Sequence, residues 1–184
     1  LGPSFSDNAI EKLLISHHDK YVWERFSDIE TRIAHCLNRG IIVGRFNGSL
    51  EWGPRALGNR SILVQPTDRN INNDLNARLL RTEFMPFAPS VLDYRAKDYF
   101  DGYSEDDVAA NFMTITYKVF PEKIEEIPAV VHVDGTARPQ IVNGTDNPSF
   151  YKILKEYEKL SGLGVLVNTS FNIHEQPIVR SPED

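Results

Sequence analysis

The spacing of apolar positions changes several times along the chain, and each change predicts an element. From Ile29 the apolar residues recur at helical spacing. Ile29, Ile33, Ala34, Cys36 and Leu37 make one stripe, and Gly40 stands as its stop. Ile41 to Phe46 reads as a buried strand, Asn47-Gly48 as a turn, and Ser61 to Val64 as a second strand closed by Pro66. Helical spacing returns over Asp68 to Arg81, through Ile71, Leu75, Leu79 and Leu80, with Asp68 as the expected N-cap. Phe84 to Leu92 is apolar but interrupted by Pro86 and Pro89, so it is expected to be extended. Asp93 to Phe100 reads as a short helix or turn, and Gly102 to Asp107 as a solvated acidic loop. Met113 to Val119, Ala129 to Val133 and Gln140 to Val142 read as further strands. Ser149 to Leu160 is an amphipathic helix stopped at Gly162, and Val165 to Val167 is a last buried strand running into Asn168-Thr169-Ser170-Phe171-Asn172. The polar stretch before Asp28, with its scattered aromatics, is expected to pack on the domain edge. Helices alternating with short apolar strands predict an α/β layered domain with a mixed sheet.

Composition narrows the class. A chain of 184 residues fits one domain and can bury a core, and 41% hydrophobic with 25% charged residues is a globular balance. No apolar run approaches the ~20 residues that span a bilayer, and the opening residues lack a signal-peptide pattern. The expectation is a cytoplasmic protein with no membrane partner. The start without Met and the abrupt end at Pro182-Glu183-Asp184 read as a piece of a longer protein, one domain that lacks at least one partner domain. The single cysteine, Cys36, rules out an internal disulfide and sits inside a helical apolar pattern, as a buried structural thiol would. The net charge of −6 argues against a nucleic-acid surface. Any arginine-based anion site must therefore be local.

Three segments carry candidate chemistry. In Gly53-Pro54-Arg55-Ala56-Leu57-Gly58-Asn59-Arg60, glycine and proline preset a tight loop from which two arginines can converge. Guanidinium groups bind phosphate oxygens bidentately, and glycines let backbone N–H groups approach the same anion. Solvated arginines on a surface turn are the plainer reading, and the loop lacks the Gly-Lys-Ser/Thr of a Walker site. His132-Val133-Asp134-Gly135-Thr136-Ala137-Arg138 again places a glycine turn and an arginine after an apolar run. His132 and Asp134 could share a metal ion, against the simpler alternative of a satisfied histidine and an aspartate that caps the turn. Asn168 to Asn172 puts amides and hydroxyls just beyond a buried strand, where ligands of open α/β sheets bind, although a plain Asx or Ser turn would look the same. Arg81, at the head of the proline-held segment, is a lesser ligand candidate. Trp52, Phe84 and Phe87 read as core in preference to a base-stacking platform.

Taken together, Glu51 to Leu63, Pro86 to Val91, His132 to Gln140, and Asn168 to Asn172 with Gln176-Pro177-Ile178-Val179 resemble, in order and spacing, the C-terminal domain of the carbamoyltransferase family. That family includes nodulation-factor and antibiotic O-carbamoyltransferases, and the resemblance runs over nearly the whole chain from about Ile29. It implies a YrdC-like mixed, twisted sheet with flanking helices. It also implies a domain that takes ATP and carbamoyl phosphate and forms carbamoyl-adenylate, with release of phosphate and pyrophosphate. A separate N-terminal actin-like domain of the same protein, holding a metal ion (Fe2+), would pass the carbamoyl group to an acceptor hydroxyl. Carried onto matching positions, Arg55, Arg60 and Arg138 would bind phosphates, and Asn168 and Ser170 would position the nucleotide or carbamoyl phosphate. Arg55, Arg138 and Ser170 are the implied catalytic set; Arg60, Arg81 and Asn168 are the implied binding set. Mg2+ is expected to arrive with the nucleotide. One departure stands out: Leu80 occupies a position where many members carry lysine. It leaves open a non-catalytic nucleotide-binding module on the same fold.

Overall fold

The computed structural model describes residues 2–80 and 87–184. In chain order the elements are α1 (Asp7–Ser16), α2 (Ile29–Asn38), β1 (Val43–Phe46), β2 (Arg60–Val64), α3 (Ile71–Arg78), β3 (Ala88–Leu92), α4 (Ala96–Tyr99), β4 (Phe100–Asp101), β5 (Tyr117–Val119), β6 (Thr136–Ala137), β7 (Gln140–Val142), α5 (Pro148–Ser161) and β8 (Val165–Ser170). Short 3-10 turns link several of them.

Five strands form a mixed sheet in the order β1-β2-β8-β3-β7. All pairings are antiparallel except β3 with β7. A small antiparallel sheet, β4-β5-β6, stands apart. The central strands read as continuous apolar runs because both faces of the large sheet are covered. Ile62, Val64, Val91, Val165 and Val167 join one core with Leu75, Tyr99, Phe100 and Tyr117. Their chain neighbours Leu63, Leu92 and Leu166 join a second core with Ala34, Leu37, Phe150, Ile153, Leu154 and Tyr157. That split is the period-two pleat at work. It places α2 and α5 on one face, with α3 and the small sheet on the other.

Local chemistry sets the helix ends. The Asn147 side chain accepts from the Phe150 N–H at 3.1 Å to start α5, Pro148 occupies its first turn, and Gly162 (φ 80°) ends it in the left-handed conformation that glycine tolerates. Asp28 caps α2 in the same way, through the Thr31 N–H.

The structure departs from the sequence-based expectations in four places. Residues before Asp28 include a helix, α1, capped by Ser6, which buries none of its residues fully and so lacks a strong apolar stripe. The helix expected over Asp68 to Arg81 covers Ile71–Arg78; Asp68 accepts instead from the Asn70 N–H, one turn earlier, and Arg81 lies outside the described residues. Of Met113 to Val119 only Tyr117–Val119 pairs as a strand, because Met113 sits at φ 56° at the end of a 3-10 turn. Ala129 to Val133 forms no strand: Pro128–Val130 is a buried 3-10 turn, with the Ala129 N–H donating to the Pro66 carbonyl. Its apolar run reflects burial rather than pairing. No described helix is long and apolar enough to cross a membrane.

Candidate functional site

Three buried polar side chains interrupt the apolar central strands, and they sit together. Ser90 on β3 donates to Gln140 Oε1 on β7 at 2.7 Å. Asn168 Nδ2 on β8 lies 3.0 Å from both Ser90 Oγ and Gln140 Oε1, and 3.2 Å from the Ala56 carbonyl. Gln140 Nε2 donates to the Leu57 carbonyl at 2.7 Å. The sheet thus grips the backbone of the 53–58 loop. Burial of these groups is tolerable because each finds such partners.

The loop is held from other sides as well. The Glu51 carboxylate accepts from the Leu57 and Asn59 N–H groups, the Gly58 N–H donates to Ser61 Oγ, and Asn147 Nδ2 donates to Asn59 Oδ1. Gly58 is required here. Its φ is 119°, and a Cβ would stand 2.5 Å from a Phe150 ring carbon. A loop constrained in this way presents Arg55 in a fixed direction.

Arg55 stands where three hollows meet. The smallest, about 200 Å3, is lined among others by Arg55, Arg138, Asn168, Ser170, Asn172 and His174. A second, about 450 Å3, shares Arg55, Arg138, Pro54 and Met113 and adds Trp52 and Phe112. The third and largest, about 820 Å3, takes Arg55 with an apolar lining that includes Phe171, Ile173, Ile178 and Val179. Burial holds the Arg138 guanidinium below its ordinary pKa, and the charge of Arg55 pushes the same way. Neither arginine forms an ion pair among the described residues, and Arg138 Nε is buried without a hydrogen-bond partner. Two like charges brought together without a carboxylate make a site whose missing component is an anion.

The strand-end hydroxyl belongs to the same place, with Ser170 Oγ donating to Asn172 Oδ1 at 2.5 Å. The turn before Arg138 is built by Asp134, which accepts from the Thr136 N–H and hydroxyl at 3.0 and 2.7 Å, while His132 Nδ1 lies 3.1 Å from Thr136 Oγ1. Burial lowers the His132 pKa; Asp134 works against this and Arg138 adds to it. Among the described residues no group of three His, Cys, Asp or Glu side chains is arranged to hold a metal.

Of the six residues proposed from sequence, Arg55, Arg138, Asn168 and Ser170 line one cleft. Arg60 does not join them. It is fully buried, Nη1 donates to the Asn47 and Asn59 carbonyls (2.7 and 2.9 Å), Nη2 donates to the Gly48 carbonyl (3.2 Å), and Cζ sits 3.6 Å over the Phe46 ring. Its position as the first residue of β2 turns it into the sheet edge, where it pins the preceding turn. Trp52, read as core, is 82% exposed at the mouth of the cleft, whereas Phe87 is buried as expected. Ser90, Gln140 and Glu51 escaped the sequence reading. A polar residue inside an apolar strand was the signal that could have marked the first two.

Comparison with known proteins fits this geometry. The family described as "Carbamoyltransferase C-terminus" matches residues 34–184. A protein of Methanocaldococcus jannaschii is 38% identical over 190 residues, spanning all of this chain and 30% of its own length. Nodulation protein NolNO of Sinorhizobium fredii is 38% identical over 185 residues, covering all of this chain and 27% of its own. Nodulation protein U of Azorhizobium caulinodans is 42% identical over 142 residues, covering 77% of this chain and 25% of its own. This chain therefore spans about a third or less of these relatives. Among solved structures, full-length HypF in its phosphate- and nucleotide-bound form shares the fold, with a TM-score of 0.57 and 20% identity over 89% of this chain and 20% of HypF.

Proposed function

The chain belongs to the carbamoyltransferase C-terminal family, and on that premise we propose that its cleft binds carbamoyl phosphate and ATP and joins them into carbamoyl-adenylate. The observation that carries the proposal is the uncompensated arginine pair, Arg55 and Arg138, beside the strand-end amide and hydroxyl of Asn168 and Ser170. In the reaction, carbamoyl phosphate yields phosphate and carbamate. A carbamate oxygen then forms a bond to the α-phosphorus of ATP while the bond to the pyrophosphate oxygen breaks. Negative charge accumulates on phosphoryl oxygens, and guanidinium groups already in position stabilise it without reorganising. The division of space suits two substrates. The hollow of about 200 Å3 matches the small acyl phosphate, and the adjoining wider ones leave room for a nucleotide.

The side chains that line the small hollow are mostly guanidinium, amide and hydroxyl groups, with Glu175 the carboxylate among them. That donor set fits phosphate oxygens, so Mg2+ would be held mainly by the nucleotide's own phosphates. Transfer to an acceptor hydroxyl, with the iron it would need, is assigned to the remaining part of a longer polypeptide.

The test has two parts. Carbamoyl phosphate and ATP should raise the melting temperature of the chain, and Arg138→Ala should abolish that shift. Loss of one charge-assisted contact predicts a 10- to 100-fold weaker Kd, from about 1.5–3 kcal/mol. The longer protein should release pyrophosphate from ATP only when carbamoyl phosphate is present. ATP binding with no such release would favour the non-catalytic module that Leu80 keeps in view.

A further inference from the structure

Two buried atoms of the cleft residues lack partners, and they have opposite hydrogen-bonding character. Arg138 Nε is a donor without an acceptor; Asn168 Oδ1 is an acceptor without a donor. Asn168 is 2% exposed and lines the same hollow of about 200 Å3 as Arg138 and Arg55. The orientation of its amide is settled by backbone, not by convention. The Ala56 carbonyl can only accept, so the nitrogen must face it. Gln140 is settled in the same way, because its nitrogen must face the Leu57 carbonyl, and this directs Gln140 Oε1 at Asn168 Nδ2. With Nδ2 committed to Ala56, Ser90 and Gln140, the oxygen is the one polar atom of Asn168 left over. A buried acceptor without a donor is costly and calls for a reason.

The ligand that completes both atoms carries an anion and, a few bonds away, an N–H donor. Inorganic phosphate offers only the anion. In ATP the exocyclic amine lies a whole nucleoside away from the phosphates, too far for a hollow of this size. A carbamoyl phosphate carries its NH2 on the carbon next to the bridging oxygen. We propose that Asn168 Oδ1 accepts a hydrogen bond from the carbamoyl NH2 while Arg138 and Arg55 hold the phosphate. Asn168 is then the residue that distinguishes a carbamoyl phosphate from other acyl phosphates. This rests on the reading of the cleft as an acyl-phosphate site and deepens it. The sheet supplies the rigidity that such discrimination needs, since Ser90 and Gln140 lock the amide from two neighbouring strands.

Acetyl phosphate tests the assignment without altering the protein, because it replaces the NH2 by a methyl group and keeps the rest. Calorimetric titration of the chain with fresh carbamoyl phosphate, acetyl phosphate and inorganic phosphate should rank carbamoyl phosphate tightest. Acetyl phosphate should bind 10- to 100-fold more weakly, the equivalent of one buried acceptor left unpaired. Equal affinities for the two acyl phosphates, with both binding, would overturn the role of Asn168 and leave the anion site standing. Failure of all three to bind would remove the underlying reading as well. Asn168→Asp offers a second check, read only if the variant keeps its circular dichroism and a cooperative melt. A carboxylate still accepts from an NH2, so a preference for carbamoyl over acetyl phosphate should survive even as the loop loosens. Loss of that preference in the folded variant counts against the assignment.

Discussion

Replacing Arg60 by lysine separates a structural arginine from a ligand arginine. The guanidinium bridges three carbonyls of the turn before β2, at 2.7, 2.9 and 3.2 Å, and its Cζ lies 3.6 Å over the Phe46 ring. A lysine ammonium is a compact point charge and cannot span the Asn47, Asn59 and Gly48 oxygens from one fork. Hydrogen bonds to a charged group are worth roughly 1.5–3 kcal/mol each, but they are not additive when one side chain makes them all. Losing about half of that set, together with the planar stacking on Phe46, gives a destabilisation of roughly 2–4 kcal/mol. For a chain of 184 residues each kcal/mol moves Tm by roughly 2–4 °C, so the expected fall is about 5–15 °C without any ligand. The assay is thermal unfolding of wild type and Arg60→Lys, each alone and with carbamoyl phosphate. The reasoning is refuted if the unliganded variant melts like wild type while the ligand-induced shift disappears. That pattern belongs to a phosphate ligand, not to a brace.

Three further outcomes follow from the geometry. Gly58→Ala forces a Cβ to 2.5 Å from Phe150 at φ 119°, so strain and overpacking should together cost roughly 2–5 kcal/mol and weaken ligand binding through displaced Arg55; a urea midpoint within error of wild type would contradict this. Burial, helped by Arg138, keeps His132 neutral below its usual range near about 6.5. In that window the unfolded chain binds the extra proton, so the His132 contribution to stability is whole above about 6.5 and is lost as pH falls through the lower folded value. A phosphate dianion on Arg138 should raise the His132 pKa back upward, visible as a shifted NMR titration of its ring; an unmoved titration would place the anion elsewhere. Trp52, 82% exposed beside Arg55, should report nucleotide in the wider hollow. In Trp23→Phe, which leaves Trp52 as the sole indole, ATP should quench fluorescence and tripolyphosphate should not.

Local pattern alone was enough for much of this protein. The stripe ending before Gly40, the amphipathic helix closed by Gly162 and the apolar runs of β2 and β8 are legible because their periods and stop signals are properties of neighbouring residues. The arginine-bearing turns and the strand-end amide and hydroxyl could be marked as chemistry for the same reason, since glycine turns and guanidinium groups announce themselves in a few positions. Where each of those arginines points is a different matter. Arg55 and Arg60 are five positions apart on one loop, yet one faces the cleft and the other is sealed into the sheet edge, because Glu51, Gln140 and Asn168 grip the backbone between them. Those contacts join residues separated by 83 and 112 positions, and no window of sequence contains them. The same holds for the unpaired Asn168 Oδ1, whose state depends on carbonyls and side chains brought from three other segments. Chain-local physics decides the elements; only the closed sheet, with its long-range hydrogen bonds, decides which polar atoms are left over for a ligand.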